Sequence, residues 1–426
     1  MLMLLIFLAL VAMICINVPI AVALAVSAII GLLATEGLSS LVTVALDMYD
    51  GSTKFSLIAI PMFVLAGSIM NAGGVTDRLI NFVSALVGFV RGGLSMVTIG
   101  VSLFFAEISG SAVADVAALG SVLIPQMKKR GYKAPFAAAV TSSSASLAII
   151  IPPSIPMILY ATSANTSVEQ LFIAGFIPGL LGAAGLMAVA AIFARRYNLP
   201  VEEAFNMKRL GETFRAALPA FTLPVIILGG IFGGFVTATE AAGLAVIAAS
   251  LVGLWYQEMD FRHLKRAMLD GGIQTAVVML LVAASVLMGG FLTRARLPQE
   301  LAAGILDLTN NQWVILLILN FFFLVIGFFL HSAAAIILVV PVVMPLINAA
   351  GIDPVHFGLV VTLNLAIGQQ TPPVASVLIT ACAVARANVW EVTKVNIWFI
   401  AVLLAVLILC TYIPAIPMFL VEYFYR

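Results

Sequence analysis

The stretch "IIIPPSIPMILY", residues 149–160, decides how this chain is read. It lies in an apolar run long enough to cross a membrane, yet carries Pro152 and Pro153 side by side, then Pro156. An interior proline removes a helix hydrogen bond and clashes with the preceding turn, at about 3 kcal/mol or more. In lipid the freed backbone groups find no water to replace the lost bond. A helix broken at mid-depth therefore needs a reason.

Outward from this stretch the chain stays apolar. Of its 426 residues, 63% are hydrophobic and 9% charged, which few soluble folds could hide. A net charge of +1 leaves no large basic face for nucleic acid. The N-terminal run lacks the basic start of a signal peptide and is too long for one, so it reads as a retained first transmembrane helix. Cys15, Cys382 and Cys410 all sit in apolar segments and read as small buried hydrophobes. The three histidines are scattered, with no HExxH or CxxC pair, which argues against a metal enzyme.

A spanning helix needs about 20 apolar residues. Crossings are expected at 2–33, 55–71, 134–163, 169–195, 218–234, 236–256, 273–292, 354–385 and 394–420. Shorter runs at 94–106, 111–127, 313–329 and 333–348 meet in pairs at the small polar tips "EISGS" (107–111) and "LHSA" (330–333). They predict two re-entrant hairpins, 94–127 and 313–348. Amphipathic stretches at 75–90 and 297–308 suit helices lying at the interface. The polar segment 196–217 reads as the loop between halves.

A constant offset of 220 positions runs through the sequence. It pairs Pro152 and Pro153 with Pro372 and Pro373, Pro125 with Pro345, Gly131 with Gly351, and "AVALAV" (21–26) with "AAGLAV" (241–246). This predicts a duplication: a first repeat over 1–195, a connecting segment over 196–235 and a second repeat over 236–426. Each has a hairpin and then a broken helix, 134–163 or 354–385. Orientation follows from the excess of Lys and Arg in cytoplasmic loops. The base of the first hairpin, "KKRGYK" (128–133), carries four positive charges, and its counterpart "NAAGID" (348–353) carries none. The first base should face the cytoplasm and the second the outside. The repeats are then inverted, the N-terminus cytoplasmic and the C-terminus periplasmic. Arg294 and Arg296 fall outside in this scheme, where they are expected to pair with anionic groups on a partner.

The fold class is thus an all-α polytopic membrane protein of two inverted repeats, an architecture of secondary transporters. Unwound carbonyls and hydroxyls can cage a hard cation such as Na⁺, and amides at a half-helix N-terminus favour an anionic group. Candidate groups are Ser109, Gly110 and Ser111 at the first tip, the "TSSSAS" hydroxyls (141–146) including Ser144 and Ser146, and Ser154 after the prolines. The second half offers His331 and Ser332 at its tip and "GQQTPP" (368–373) at its break. Each has a plainer reading. Small residues in membrane helices pack closely, and isolated prolines are often kinks. Recurrence of the prolyl pair after a second hairpin favours the functional reading. Glu107 is expected to support a cation, Asp115 to hydrogen-bond within its hairpin, and Glu240 to serve its helix start.

The motifs "ISGSAVADVAALGSVLIPQMKKRGY" (108–132), "IIPPS" (150–154), "TATEAAG" (237–243) and "GQQTPP" resemble the large membrane subunit of tripartite ATP-independent periplasmic (TRAP) transporters, essentially end to end. The overall look is most like the sialic-acid (N-acetylneuraminate) branch. The resemblance implies Na⁺-driven import by an elevator motion of a transport part against a scaffold. It implies a separate small four-helix membrane subunit, a periplasmic substrate-binding protein and an organic acid anion as substrate, in a bacterial inner membrane. It places one Na⁺ at Ser109, Gly110 and the break near Ile151. It places a second at Leu330, His331, Ser332 and the break from Gly368 and Gln369 to Thr371, with substrate near Ser109, Ser111, Ser154 and His331. The helix-breaking residues are Pro152, Pro153, Pro372 and Pro373. Many family members carry an acid where this chain has His331. The same mechanism with C4-dicarboxylates is one alternative, and proton coupling through Glu107 or Asp115 another. An intramembrane hydrolase using a tip serine and His331 lacks an orienting group. A channel would show unsaturable flux. The reading is a transporter rather than an enzyme, with no organic cofactor.

Overall fold

A computed structural model describes the backbone of all residues except Met1, Asn17, Glu202, Glu203 and Arg426. It describes side chains except at these positions and at 2–4, 11, 15 and 107–109. Among the described residues the fold is all-helical, apart from one isolated bridge between Arg91 and Val201. Among the described residues, eight helices are long and apolar enough to cross a membrane.

Two helical hairpins stand where the short paired runs predict them. The first joins Gly93–Ser109 to Ala112–Lys129, and the second joins Gln312–Phe329 to Ser332–Ala349. Each is followed by a broken helix. Ala134–Ala145 passes through a 3₁₀ turn (Ser146–Ile149), loses helix at 150–154 and resumes as Ile155–Ala164. Pro354–Gly368 stops, and Ser376–Ala385 resumes. Both bases turn through a left-handed glycine, Gly131 at φ 85° and Gly351 at φ 68°, where a side chain would be strained. The flanking amphipathic helices are Val75–Val87 and Leu297–Leu308.

The core sits at the centre of this arrangement. Phe136–Ala145 and Val355–Gly368 are buried at every position, as helices that are apolar on all faces must be. The halves exchange partners across it. Ile155–Ala164 packs on the second hairpin's Ser332–Ala349, while Ser376–Ala385 packs on the first hairpin's Ala112–Lys129. Tyr160 Oη donates to Pro354 O at 2.7 Å, and Lys128 Nζ donates to Ala385 O at 3.0 Å. A second group of helices packs alongside: Ile20–Glu36, Leu41–Ser52, Ala59–Ala72, Ala238–Trp255 and the long Phe261–Arg294.

Several expectations need correcting. The run 2–33 is two helices, Leu2–Cys15 and Ile20–Glu36, because Pro19 cannot donate and bars helix in the residue before it. The run 394–420 divides the same way, into Val389–Tyr412 and Ala415–Tyr425, at Pro414. Much of the supposed loop 196–217 is helix. Met207–Pro224 starts on Asn206, whose Oδ1 accepts from Lys208 N at 3.0 Å and Arg209 N at 3.3 Å, a standard capping arrangement. Helix Leu41–Ser52 was not foreseen, since Asp47 and Asp50 interrupt its apolar pattern. Arg294 meets acids of its own chain. Its Nη2 meets Asp47 Oδ2 at 2.7 Å, and its Nη1 lies 4.0 Å from Glu36 Oε2. Val168–Arg196 and Val389–Tyr412 pack on the broken helices. Gly175 and Gly179 face Ile150 and Ile151 there, with no room for a Cβ.

Candidate functional site

A cavity of about 420 Å³ lies where the hairpin tips and helix breaks converge. Gly110–Ala112 and His331–Ala333 line it from the two tips, and Ile149, Ile155, Pro156 and Gln369 from the two breaks. The opposite wall is Pro19–Ala21 with Val277, Val278, Leu280 and Leu281, from the second group of helices. The wall is mostly apolar, and the polar groups gather on the tip side.

Local sequence explains the tips. Gly110 holds φ 58°, the left-handed conformation that lets the chain reverse without a Cβ. A Cβ there would lie 3.0 Å from Pro153 O and 3.2 Å from Ile155 N, so the first tip rests on the first break. Ser111 and His331 are the N-cap residues of the returning arms, Ala112–Lys129 and Ser332–Ala349. Ile155–Ala164 also begins at the cavity. Three helix N-termini therefore border one space. Each carries unsatisfied amides and a partial positive charge, worth about 0.3–1 kcal/mol to an anion at an exposed site.

The expected residues divide into three groups. Ser111, His331, Ser332, Gly110 and Gln369 line the cavity together. The side chain of Ser109 lies outside the described residues, as does that of Glu107. Ser154 does not reach the cavity. It is fully buried, donates to Ile149 O at 2.8 Å and caps the next helix by accepting from Met157 N at 3.4 Å. Ser144 and Ser146 lie behind the break. Ser144 Oγ donates to Thr141 O at 3.2 Å and accepts from Ser102 Oγ at 3.0 Å, tying hairpin arm to broken helix. Ser146 Oγ donates to Ser142 O at 3.3 Å. Ile151 N still donates to Leu147 O at 2.7 Å, the last turn before Pro152 and Pro153. In the second break Thr371 Oγ1 donates to Ile367 O at 3.0 Å, and Gln369 Nε2 to Leu365 O at 3.4 Å. Leu330 ends the outgoing arm of the second hairpin. Gly368 meets Gly327 backbone to backbone. Both prolyl bonds, Pro152–Pro153 and Pro372–Pro373, are cis. Asp115 is fully buried in the first turn after the first tip. Glu240 closes a capping box with Thr237, its Oε2 accepting from Thr237 N at 2.8 Å.

Several buried amides were missed. Asn364 stands 220 positions after Ser144 and ties the second hairpin arm to its broken helix. Its Nδ2 donates to Asn320 Oδ1 at 2.7 Å and to Val360 O at 2.8 Å. That fixes its orientation and leaves Oδ1 buried without a hydrogen-bond partner among the described residues. Ser142 Oγ, in the first broken helix, is likewise buried without a hydrogen-bond partner among the described residues. The available signal was a carboxamide inside an uninterrupted apolar run, costly unless used.

An all-helical membrane protein with paired hairpins and paired helix breaks around one cavity has a counterpart of known structure. The YdaH transporter of Alcanivorax borkumensis shares the fold at a TM-score of 0.60 and 15% identity, over 89% of this chain and 88% of that one. The sequence places the chain more closely. It belongs to the family described as the tripartite ATP-independent periplasmic transporter, DctM component, whose profile matches residues 7–416. The chain is 37% identical to the C4-dicarboxylate TRAP transporter large permease protein DctM of Pseudomonas aeruginosa, over 88% of each chain. It is also 37% identical to the isethionate TRAP transporter permease protein DctMQ of Oleidesulfovibrio alaskensis, over 95% of this chain and 64% of that one. The family is one of transporter permeases, not enzymes.

Proposed function

We propose that this chain is the large permease subunit of a Na⁺-coupled importer that moves an organic acid anion across a bacterial inner membrane. The observation that carries the reading is the single cavity bordered by three helix N-termini, two hairpin tips and both breaks. Ser111, His331 and Gln369 supply polar contacts, the N-termini favour a carboxylate or sulfonate, and the apolar wall takes the remainder of the substrate. Ser154 acts as a cap instead. Na⁺ would sit on the two breaks. Gly110, Ser146 and Ile151 frame one site, with Ser109 and Ser144 as further candidates. Leu330, Ser332, Gly368 and Thr371 frame the other. Open acceptors one helix turn away, Ser142 Oγ and Asn364 Oδ1, support this assignment.

The matched element order, hairpin then broken helix in each half 220 residues apart, supports two inverted repeats. The base carrying Lys128, Lys129 and Arg130 would then face the cytoplasm, with the N-terminus on that side and the C-terminus periplasmic. In the elevator reading the hairpins, the broken helices, Val168–Arg196 and Val389–Tyr412 move as one body. Phe261–Arg294 and its neighbours stay fixed. A separate small membrane subunit and a periplasmic binding protein complete the assembly. The fused name DctMQ of the isethionate relative fits such pairing.

Sialic acid is the substrate the sequence resemblance favours, with C4-dicarboxylates and isethionate, named for relatives, as competitors. The test is uptake of each labelled compound into proteoliposomes holding this chain and its small subunit, with binding protein outside and an inward Na⁺ gradient. Na⁺-dependent sialic acid uptake is the expected result. Uptake of a dicarboxylate alone would keep the mechanism and discard the substrate. Uptake indifferent to Na⁺ would discard the coupling.

A further inference from the structure

The two helix breaks are joined by one side chain. Gln370 follows the cavity-lining Gln369, but its carboxamide runs the opposite way, into the first broken helix. Nε2 donates to Ser146 Oγ at 2.5 Å, and Oε1 lies 2.9 Å from Ser143 Oγ. Asn396, from Val389–Tyr412, closes the group. Its Oδ1 is 2.7 Å from Ser143 Oγ, and its Nδ2 is 3.3 Å from Gln370 Oε1. Gln370, Asn396, Ser143 and Ser146 all have zero exposure. The single Ser143 hydroxyl proton serves Gln370 Oε1 or Asn396 Oδ1, and removing one member of the group leaves the others unpaired away from water.

The connection is one-sided. The position 220 residues before Gln370 is Ile150, and that before Asn396 is Phe176. Neither side chain can return the hydrogen bonds. The loop of the first break is therefore held by the second, with no equivalent in reverse among the described residues.

We propose that Gln370 is a positioning residue that couples the two cation sites. A cation settling the backbone at 368–371 fixes Gln370, which then holds Ser143 and Ser146 and so shapes the first break at 146–151. The inference rests on the Na⁺-coupled reading above. Because coupling is reciprocal, a cation at the first break tightens the second site by the same factor. Na⁺ binding is then cooperative, and the substrate cavity between the breaks is completed only when both are occupied.

The test needs no knowledge of the substrate. The purified complex of this chain with its small subunit is titrated with NaCl at constant ionic strength, choline chloride replacing it, and apparent Tm is followed. The wild type should be stabilised specifically by Na⁺ with a slope above one. Gln370→Met, which keeps length and removes both polar atoms, should raise the half-saturating concentration by about tenfold and bring the slope to one. Adding Ser143→Ala to it should change nothing more, since both remove the same link. If Gln370→Met does not fold, Ser143→Ala alone should move the titration in the same direction. A wild-type slope of one, or variants that titrate like the wild type, would overturn the coupling while leaving Na⁺ binding intact. No Na⁺-specific stabilisation of the wild type would instead overturn the function it rests on.

Discussion

At Gly368 two backbones nearly touch. A Cβ there would lie 2.5 Å from Gly327 Cα and 2.6 Å from Gly327 C. Backbone cannot swing aside as a side chain can, so Gly368→Ala must push the outgoing arm of the second hairpin off its break. Overpacking of this kind costs about 1–3 kcal/mol. We expect a lower apparent Tm in detergent and a larger loss of uptake, because the displaced segment carries the tip. An unchanged Tm would mean that the arm gives way freely. At this scale the sequence was partly legible. Gly110, Ser111, His331 and Gln369 were named from the tips and the "GQQTPP" motif, and the fold brings them to one cavity. Ser154 was also named, but its hydroxyl is spent on a helix cap. A serine beside a break can face either the ligand or its own helix, and residue type does not say which. Gln370, Asn396 and Asn364 went unnamed because their partners lie far away in sequence.

The elements whose ends are set by local chemistry were the easiest to read. Leu297–Leu308 has the predicted bounds, and the hairpin arms fall within a few residues of theirs. Double prolines end helices whatever surrounds them. The helix Leu41–Ser52 is a different case. Asp47 makes sense only beside Arg294, which reaches Asp47 Oδ2 and Thr43 Oγ1 from the end of Phe261–Arg294. Asp47→Asn should lower stability modestly, by about 0.2–1 kcal/mol for a partly exposed pair. Reversal of both charges, Asp47→Arg with Arg294→Asp, should recover more than either reversal alone. The measurement is a double-mutant cycle on apparent Tm, and additive losses would show that the pair contributes nothing to holding these helices together.

Across the whole molecule, the cavity has one wall on the hairpins and the other on Pro19–Ala21 and Val277–Leu281. If these walls belong to bodies that slide past each other, tying them together must stop transport. Ala21→Cys and Ala333→Cys, in a chain whose own cysteines are replaced, can be bridged by a cleavable bifunctional maleimide. Uptake should fall on cross-linking and return on cleavage. Uptake that survives complete cross-linking would rule out relative motion of these walls. On such a two-body division Val168–Arg196 and Val389–Tyr412 would go with the hairpins. Both are long apolar spans, indistinguishable by composition from fixed ones. Only the close glycine face opposite Ile150 and Ile151, and the link from Asn396 to Gln370, assign them to the broken helices.

The sequence by itself determined where helices stop and how the halves correspond. Proline geometry, glycine conformation and the length needed to span lipid act within a few residues, and the same prolines and glycines recur at an offset of 220 positions. The tertiary structure alone decided which polar groups face the cavity and which face each other. It also decided which spans pack on the broken helices and which charge meets Arg294. These outcomes depend on contacts between segments hundreds of residues apart. In an almost uniformly apolar chain, the hydrophobic pattern that orients helices in water carries little of that information.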